Sequence, residues 1–303
     1  MEKINTFIVV HTNYDGLKKT LESIRKYTPA NFNIILIDQN PVYQQVDDLV
    51  DLHIFTHGKN LGYAKAFNTG IRLSDTKYVS IWNDDAECIN SKWWGGIEET
   101  FRRYSTTALG VNPSSPRNPK GSGEEPINNM GIDYKDEFPE SDYDLMLEKG
   151  QGHIIDGICM FATVFDRAKL DKVVGVIPGK AWMDEHFYPG GGEDYDLNRR
   201  GYLTKNEENG MRGYRCLGTN LSFIWHWWYS TKRLNDGVAG VKHCGNQWSD
   251  KWGTIEGGNV DLYGKLGTQI SPMNKIRTLE ECDLLQKDIS RKEINPDYEM
   301  WGD

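Results

Sequence analysis

Residues 6–38, TFIVVHTNYDGLKKTLESIRKYTPANFNIILID, decide the fold class. Thr6–Val10 is a short β-branched apolar run, and Ile34–Asp38 is a second one that ends in a carboxylate. Between them, apolar residues recur at the spacing of an α-helix, and a proline follows the last of them: Leu17, Leu21, Ile24, Tyr27, then Pro29. The stretch therefore predicts a strand, a helix and a second strand, which together form a βαβ unit.

The same alternation continues along the chain. We expect further strands at Leu52–Phe55 and Tyr78–Trp82, with a helix at about Ala64–Leu73 between them. After a proline-rich loop over 112–129, we expect an apolar strand at Ile154–Val164, interrupted by a glycine, which starts a second part of the core. Strands that alternate with helices predict an α/β fold with a mainly parallel, Rossmann-like sheet flanked by helices.

Composition limits the classes of partner. The 303 residues carry a net charge of -9, from 35 Lys and Arg against 44 Asp and Glu, which argues against an extended nucleic-acid surface. No window reaches the roughly 18 apolar residues of a transmembrane segment, and the start lacks a signal-peptide core, so we expect a cytoplasmic protein. The 5 cysteines are scattered without a Cys-x-x-Cys pair, which indicates neither a disulfide framework nor a zinc cluster.

Polar side chains follow three of the predicted strands. These segments are His11-Thr12-Asn13, Asp38-Gln39-Asn40 and Asn83-Asp84-Asp85. Any one of them could be a turn or a helix cap, but ligands of open α/β sheets bind at the carboxyl ends of the strands. The three clusters together therefore predict a binding site at this edge.

The usual phosphate-binding loops are missing from this edge. Neither a Gly-x-Gly-x-x-Gly turn nor a Gly-Lys-Ser/Thr loop follows the first strand, so a nucleotide would have to be held in another way. Asp38 could accept a hydrogen bond from a ribose hydroxyl or a base N–H. The oxygens of 83–85 could hold a divalent cation, which would neutralise a diphosphate that carboxylates alone would repel.

Two segments resemble a known family. Asn60-Leu61-Gly62-Tyr63-Ala64, continued to Ile71, resembles the Asn-Leu-Gly-aromatic-Ala segment of inverting glycosyltransferases of family two, of the rhamnosyltransferase-like kind, which have the GT-A fold. The turn Asn83-Asp84-Asp85-Ala86 stands where that family has its Asp-x-Asp metal motif. The resemblance implies that Asp85 is a metal ligand, and it leaves the role of Asp84 open.

The second half of the chain extends the resemblance. Asp156-Gly157-Ile158-Cys159-Met160 resembles the Gly-x-x-Met strand under the donor sugar, and Glu193-Asp194-Tyr195-Asp196-Leu197 matches the family's Glu-Asp-x-Asp-Leu. With the glycines before it, the latter is also similar to the acceptor motif of β-1,4-galactosyltransferases. The resemblance implies that Asp194 is the general base and that Gly192 and Glu193 bind the acceptor. A flexible linker followed by a charged first helical turn is the plainer alternative.

His226 and one tryptophan, Trp182, complete the set of candidate site residues. His226 lies in an aromatic run, where relatives often have a metal-ligating histidine, although a hydrogen-bonded core histidine is the alternative. Trp82 and Trp225 fall in predicted strands and are expected in the core. Trp182 could stack on an acceptor sugar, or it could simply pack.

Together these features imply a metal-dependent, inverting glycosyltransferase that uses Mn²⁺ or Mg²⁺. It would move a sugar from a UDP-, dTDP- or GDP-linked donor to a hydroxyl of a carbohydrate-type acceptor, with Asp85 and His226 as metal ligands. The expected donor contacts are Thr12, Asn13, Asp38, Asn60, Gly62, Lys65, Asn83, Asp84 and Gly157. The expected catalytic domain spans 1–235, with a donor half over about 1–110, an acceptor half over about 150–235 and a C-terminal appendage over 236–303.

Two rival functions remain at this point. A sugar-binding protein could keep the fold and lose catalysis, which the Asn at position 83 and the Trp-rich second half would suit. A sugar nucleotidyltransferase could share the topology, but it should carry a Gly-rich, basic loop at 12–18, and this sequence has none. Oligomeric state, donor nucleotide, sugar and acceptor do not follow from the sequence.

Overall fold

A computed structural model of the chain describes residues 2–12, 15–29, 31–115, 140–150, 154–156, 160–174, 182–185, 187, 193–204 and 213–227. Three of the expected site residues, Asn13, Gly157 and Gly192, lie outside these ranges. So does the expected C-terminal appendage, and the domain boundary at 235 therefore stays a prediction.

The first half of the chain forms the parallel part of a sheet. Its elements are β1 (Asn5–His11), α1 (Leu17–Tyr27), β2 (Phe32–Asp38), β3 (Leu52–Phe55), α2 (Tyr63–Arg72) and β4 (Tyr78–Asn83), with a short 3-10 helix at Asp47–Leu49. The strand order is β3-β2-β1-β4, and each neighbouring pair is parallel. The predicted βαβ unit and its continuation through the fourth strand are confirmed.

The second half adds strands of both directions to the same sheet. Its elements are β5 (Ala86–Cys88), α3 (Trp93–Arg103), β6 (Ala108–Ser114), α4 (Tyr143–Gly150), β7 (Ile154–Asp156), β8 (Ala162–Asp166), α5 (Arg167–Val174), α6 (Glu193–Leu203) and β9 (Arg215–His226), with a 3-10 helix at Glu140–Asp142 before α4. The order continues from β4 through β8, β6 and β9 to β5, and β7 pairs with β9. The result is a mixed sheet flanked by helices, which agrees with the expected α/β class and GT-A fold. The expected parallel pairing holds for β1 to β4, whereas most pairs of the second half are antiparallel.

The apolar run predicted at Ile154–Val164 is not one strand. β7 pairs antiparallel with β9, whereas β8 lies between β4 and β6 and is antiparallel to both. Periodicity along the chain identifies apolar segments, but it does not show which partner each segment has. β8 is therefore the strand at which the sheet changes from parallel to mixed pairing.

Both faces of β1 are buried, which explains its unbroken apolar sequence. Alternate residues of a strand point to opposite faces, and accordingly Phe7 and Val9 pack in one hydrophobic cluster while Ile8 packs in another. The first cluster includes residues of α1, α3 and α4, and the second includes residues of α2, α5 and α6. Trp82 and Trp225 are buried in the first cluster, so their predicted place in the core is confirmed.

One glycine allows the close packing of α2 on β1. A Cβ atom added to Gly70 would lie 2.3 Å from Cγ2 of Ile8, well inside van der Waals contact. The last turn of α2 can therefore approach the centre of the sheet only because position 70 has no side chain. This packing also fixes the opposite end of α2, which follows the expected donor-binding segment.

Candidate active site

Strand register brings the predicted polar clusters to one edge of the sheet. His11 at the end of β1 is paired with Asp38 at the end of β2, and Val10 is paired with Asn83 at the end of β4. Asp38 is fully buried and Asp85 is almost so. Burial of carboxylates is costly unless they are paired or hydrogen-bonded, so their partners define what this edge can do.

The turn after β4 is held through its main chain. The N–H of Asn83 donates to the carbonyl of Phe161 (2.8 Å), and the hydroxyl of Thr20 donates to the carbonyl of Asp84 (2.6 Å). The N–H of Trp227 donates to the carbonyl of Asp85 at 2.9 Å. Three separate segments thus anchor consecutive residues of the turn, which leaves it little freedom to rearrange.

Asp85 and His226 meet although they lie far apart in the sequence. Oδ1 of Asp85 is 3.1 Å from Nε2 of His226, and each side chain is only 6% exposed. The imidazole stacks on the ring of Phe161, with centroids 4.4 Å apart and planes inclined by 5°. The pairing of Ala86 with His226 between β5 and β9 explains why the two side chains are adjacent.

The spacing of these two atoms fits a pair of ligands on one cation. Neighbouring ligands of an octahedral ion with bonds of about 2.1 Å lie about 3 Å apart. A carboxylate with an imidazole suits Mn²⁺ better than Mg²⁺, because Mg²⁺ strongly prefers oxygen ligands. No group of three or more His, Cys, Asp or Glu side chains is arranged for a metal within the described residues. A cation here would therefore keep positions for ligands other than the His, Cys, Asp and Glu side chains of that part of the chain.

Asp84 faces the end of β1. Its Oδ2 atom accepts hydrogen bonds from Nδ1 of His11 (2.8 Å) and from the N–H of Thr12 (3.3 Å). Burial raises the pKa of the Asp84 carboxyl; the hydrogen bond from His11 acts in the opposite direction, and the nearby charge of Asp85 raises the pKa further. The sequence interpretation included His11 in the polar cluster at the end of β1 but gave it no role of its own.

Asp38 organises the loop that follows β2. Its Oδ1 accepts from the N–H of Asn40 (3.0 Å), while Oδ2 accepts from the N–H of Gln44 (3.3 Å) and lies 3.2 Å from Nε2 of His53. The ring of Tyr43 in turn stacks on His53, with centroids 4.6 Å apart. The contact of Asp38 with a donor stays a prediction. Its surroundings include Tyr43 and His53, two residues that the sequence interpretation missed.

The start of α2 has the conformation that its sequence motif requires. Oδ1 of Asn60 accepts from the N–H of Gly62 (2.8 Å), and Gly62 has φ +78°, a region that favours glycine. Lys65 follows on the first turn of α2, half-exposed, with Nζ 3.6 Å from Oε2 of Glu185. Asn60 and Gly62 therefore shape the entrance to the helix, and Lys65 lies between this entrance and the segment that precedes α6.

The expected acceptor side is built on α6. This helix begins at Glu193, which is buried, and Asp194 is partly exposed on its first turn. An N-terminal helical position favours the ionised form of a carboxylate, as a general base requires. One turn further, Asp196 and Arg200 form a fully buried ion pair with Nε and Oδ2 2.8 Å apart.

Trp182 is engaged with α5. Its indole N–H donates to Oδ1 of Asp171 (2.7 Å), and the guanidinium of Arg167 lies 4.8 Å from its ring centroid. The carbonyl of Trp182 accepts a hydrogen bond from Nη2 of Arg200 at 2.6 Å. Trp182 therefore connects α5 with α6, and stacking on an acceptor sugar stays a prediction.

The family assignment rests on these elements and on a sequence comparison. A family model described as Glycosyl transferase family 2 matches residues 6–173, more than half of the chain. The chain belongs to glycosyl transferase family 2. The matched region runs from β1 to α5 and includes the Asn83–Asp85 turn. Asp194 and His226 lie beyond the matched region.

Membership of glycosyl transferase family 2 identifies the protein as a glycosyltransferase. Of the rival functions, a sugar nucleotidyltransferase is therefore set aside. A search among curated proteins finds no match. None of the helices in the described ranges has both the length and the apolar character that a membrane crossing needs.

Proposed function

We propose that this glycosyltransferase moves a sugar from a nucleotide diphosphate donor to a carbohydrate-type acceptor hydroxyl with inversion, and that it depends on Mn²⁺. The observation that carries the proposal is the 3.1 Å approach of Asp85 Oδ1 and His226 Nε2 at the carboxyl edge of the sheet. Asp85 and His226 would hold the cation, which when bound supplies positive charge for the diphosphate of the donor.

The chain's own residues divide the remaining tasks. The main-chain groups of 12 and 38–40, with Asn60 and Gly62 at the start of α2, would surround the nucleoside, and Lys65 would add positive charge near the phosphates. On the acceptor side, Glu193 would bind the sugar and Asp194 would accept the proton of the attacking hydroxyl. The acceptor oxygen then forms the bond to the anomeric carbon as the bond to the diphosphate breaks, so the nucleotide leaves as the diphosphate.

The thiol of Cys88 suits a reducing compartment. Cys88 is buried without a disulfide, and burial raises the pKa of its thiol well above its ordinary value. A cytoplasmic location is the expectation we keep with the proposal.

A donor screen tests the proposal directly. Thermal unfolding would be followed with UDP-, dTDP- and GDP-linked sugars, each with and without Mn²⁺, because a ligand that binds the folded state raises the apparent Tm. We expect one nucleotide class to raise the Tm strongly only when Mn²⁺ is present. Equal shifts without the metal would contradict metal dependence, and no shift with any donor would contradict the proposed donor class.

The stereochemical part needs a separate measurement. Proton NMR of the first product formed from the identified donor would report the anomeric configuration, and we expect it to be opposite to that of the donor. Retention would contradict the single displacement and with it the role of Asp194. Donor binding without transfer or hydrolysis would favour the sugar-binding alternative.

A further inference from the structure

His11 is a buried histidine at the active-site edge to which the mechanism above gives no task. It is the last residue of β1, and its side chain is 2% exposed. Its Nδ1 atom lies 2.8 Å from Oδ2 of Asp84, whereas Nε2 has only a long approach of 3.5 Å to the amide of Asn40. The contact with Asp84 is therefore its main polar interaction among the described residues.

The direction of this hydrogen bond follows from the chemistry of a carboxylate. The oxygens of an ionised carboxylate only accept, so Nδ1 of His11 carries the hydrogen in this pair. The N–H of Thr12 also donates to Oδ2 of Asp84, at 3.3 Å. Both donors come from the end of β1, so the carboxylate of Asp84 is tied to that strand.

Two consecutive carboxylates are in this way assigned to two different histidines. Asp84 accepts from His11 of β1, and Asp85 lies against His226 of β9. The carbonyl groups of both residues are already held, by Thr20 and by Trp227. The side chain of Asp84 is then the part of the turn whose direction depends on His11.

We propose that His11 is a positioning residue for the metal site, because its hydrogen bond keeps Asp84 on β1 and leaves Asp85 as the carboxylate that is presented with His226 to the cation. This role rests on the proposed metal-dependent function. Without the bond, a largely buried carboxylate next to Asp85 loses its shortest hydrogen bond, and turning to another partner would disturb the adjacent ligand. Loss of a hydrogen bond made directly to a metal ligand typically weakens metal binding by about 10- to 100-fold, and because His11 acts one residue away from the ligand we expect the lower end of this range.

Two substitutions of His11 distinguish the contribution of Nδ1 from that of Nε2. The amide nitrogen of Asn occupies nearly the position of Nδ1, so H11N keeps a donor for Asp84. Gln places its amide near Nε2, so H11Q keeps the side toward Asn40 and loses the bond to Asp84. The readout is the Kd for Mn²⁺ of the full chain without any nucleotide sugar, measured from the EPR signal of free Mn²⁺.

We expect H11Q to weaken Mn²⁺ binding by about 10-fold or more and H11N to remain near the wild-type value. Unchanged affinity in H11Q would overturn the role of His11, and so would an equal loss in both variants. Absence of Mn²⁺ binding in the wild-type protein would overturn the metal-dependent function and this role together. The two failures are therefore distinguishable.

A second variant approaches the same bond from its acceptor, in case H11Q does not fold. D84A removes the carboxylate that could turn toward Asp85, so it is expected to bind Mn²⁺ with nearly the wild-type affinity, and circular dichroism would verify folding. Because His11 acts through Asp84, adding H11Q to D84A should cause little further loss of Mn²⁺ affinity. A loss of about 10-fold in D84A alone, or on adding H11Q to D84A, would overturn the proposal.

Discussion

Asn68 and Met183 exchange two hydrogen bonds: the Asn68 amide donates to the Met183 carbonyl (2.8 Å), and the Met183 N–H donates to Oδ1 of Asn68 (2.9 Å). The same amide nitrogen lies 3.0 Å from Oε1 of Glu185. Asn68 is completely buried in α2. One side chain thus binds α2 to the segment that precedes α6.

Replacing Asn68 should therefore destabilise the whole domain. N68D keeps the acceptor for Met183 but loses the donor, and it places a carboxylate beside the Met183 carbonyl and Glu185. We expect a loss of roughly 2–4 kcal/mol in the free energy of unfolding, measured by urea denaturation, since buried polar groups lose their partners. T69A, next in the helix, should change it by less than about 1 kcal/mol. Equal effects of the two changes would contradict this view of Asn68.

Two glycines in different helices give a matched test of packing. In G70A the new Cβ would meet Ile8 at 2.3 Å, whereas a Cβ at Gly95 of α3 has no neighbour within 4 Å. We expect G70A to destabilise the protein by about 1–3 kcal/mol through overpacking, despite the better helix propensity of alanine. G95A should stabilise it by up to about 1 kcal/mol. Thermal unfolding of both variants measures the difference, and a stable G70A would show that α2 can move away from β1.

His226 and His57 allow a controlled test of the proposed metal site. His226 is buried beside Asp85, whereas His57 is exposed with φ +55°, which asparagine tolerates well. We expect EDTA to abolish transfer and Mn²⁺ to restore it better than Mg²⁺. H226N should weaken Mn²⁺ binding in calorimetry, and H57N should leave it unchanged. Normal Mn²⁺ affinity in H226N would remove His226 from the ligand set.

Local sequence patterns were sufficient for the framework of the fold. The apolar runs at Thr6–Val10 and Ile34–Asp38 correctly predicted β1 and β2, and their polar ends correctly indicated one shared edge. Trp82 was correctly placed in the core for the same reason, since it continues a buried strand. Such patterns depend only on neighbours along the chain, which is the range over which periodicity carries information.

Features that depend on distant partners could not be read in the same way. The division of 154–164 into β7 and β8 follows from pairing with different strands. His11 and Asn68 acquire their tasks from Asp84 and Met183, which are separated from them by 73 and 115 positions. The residues next to a histidine in the sequence do not show whether its side chain will donate a hydrogen bond to a distant carboxylate or only pack at the end of a strand.

Asp194 carries the most specific catalytic expectation. It lies on the first turn of α6, partly exposed, next to the buried Glu193. An asparagine cannot accept the proton of the acceptor hydroxyl, so D194N should lower kcat by about 10²- to 10⁴-fold. Binding of the donor and of Mn²⁺, measured by calorimetry, should stay close to the wild-type values because neither contacts the base in the proposed arrangement.

The neighbouring carboxylate, Glu193, provides the matched comparison for D194N. If Glu193 binds the acceptor, E193Q should mainly raise the KM for the acceptor and leave a measurable kcat, since the lost contact is made in the ground state as well as in the transition state. Steady-state kinetics with the acceptor varied at saturating donor separates the two effects. A large loss of kcat in E193Q with normal turnover in D194N would exchange the two roles and move the base to the buried residue that opens α6.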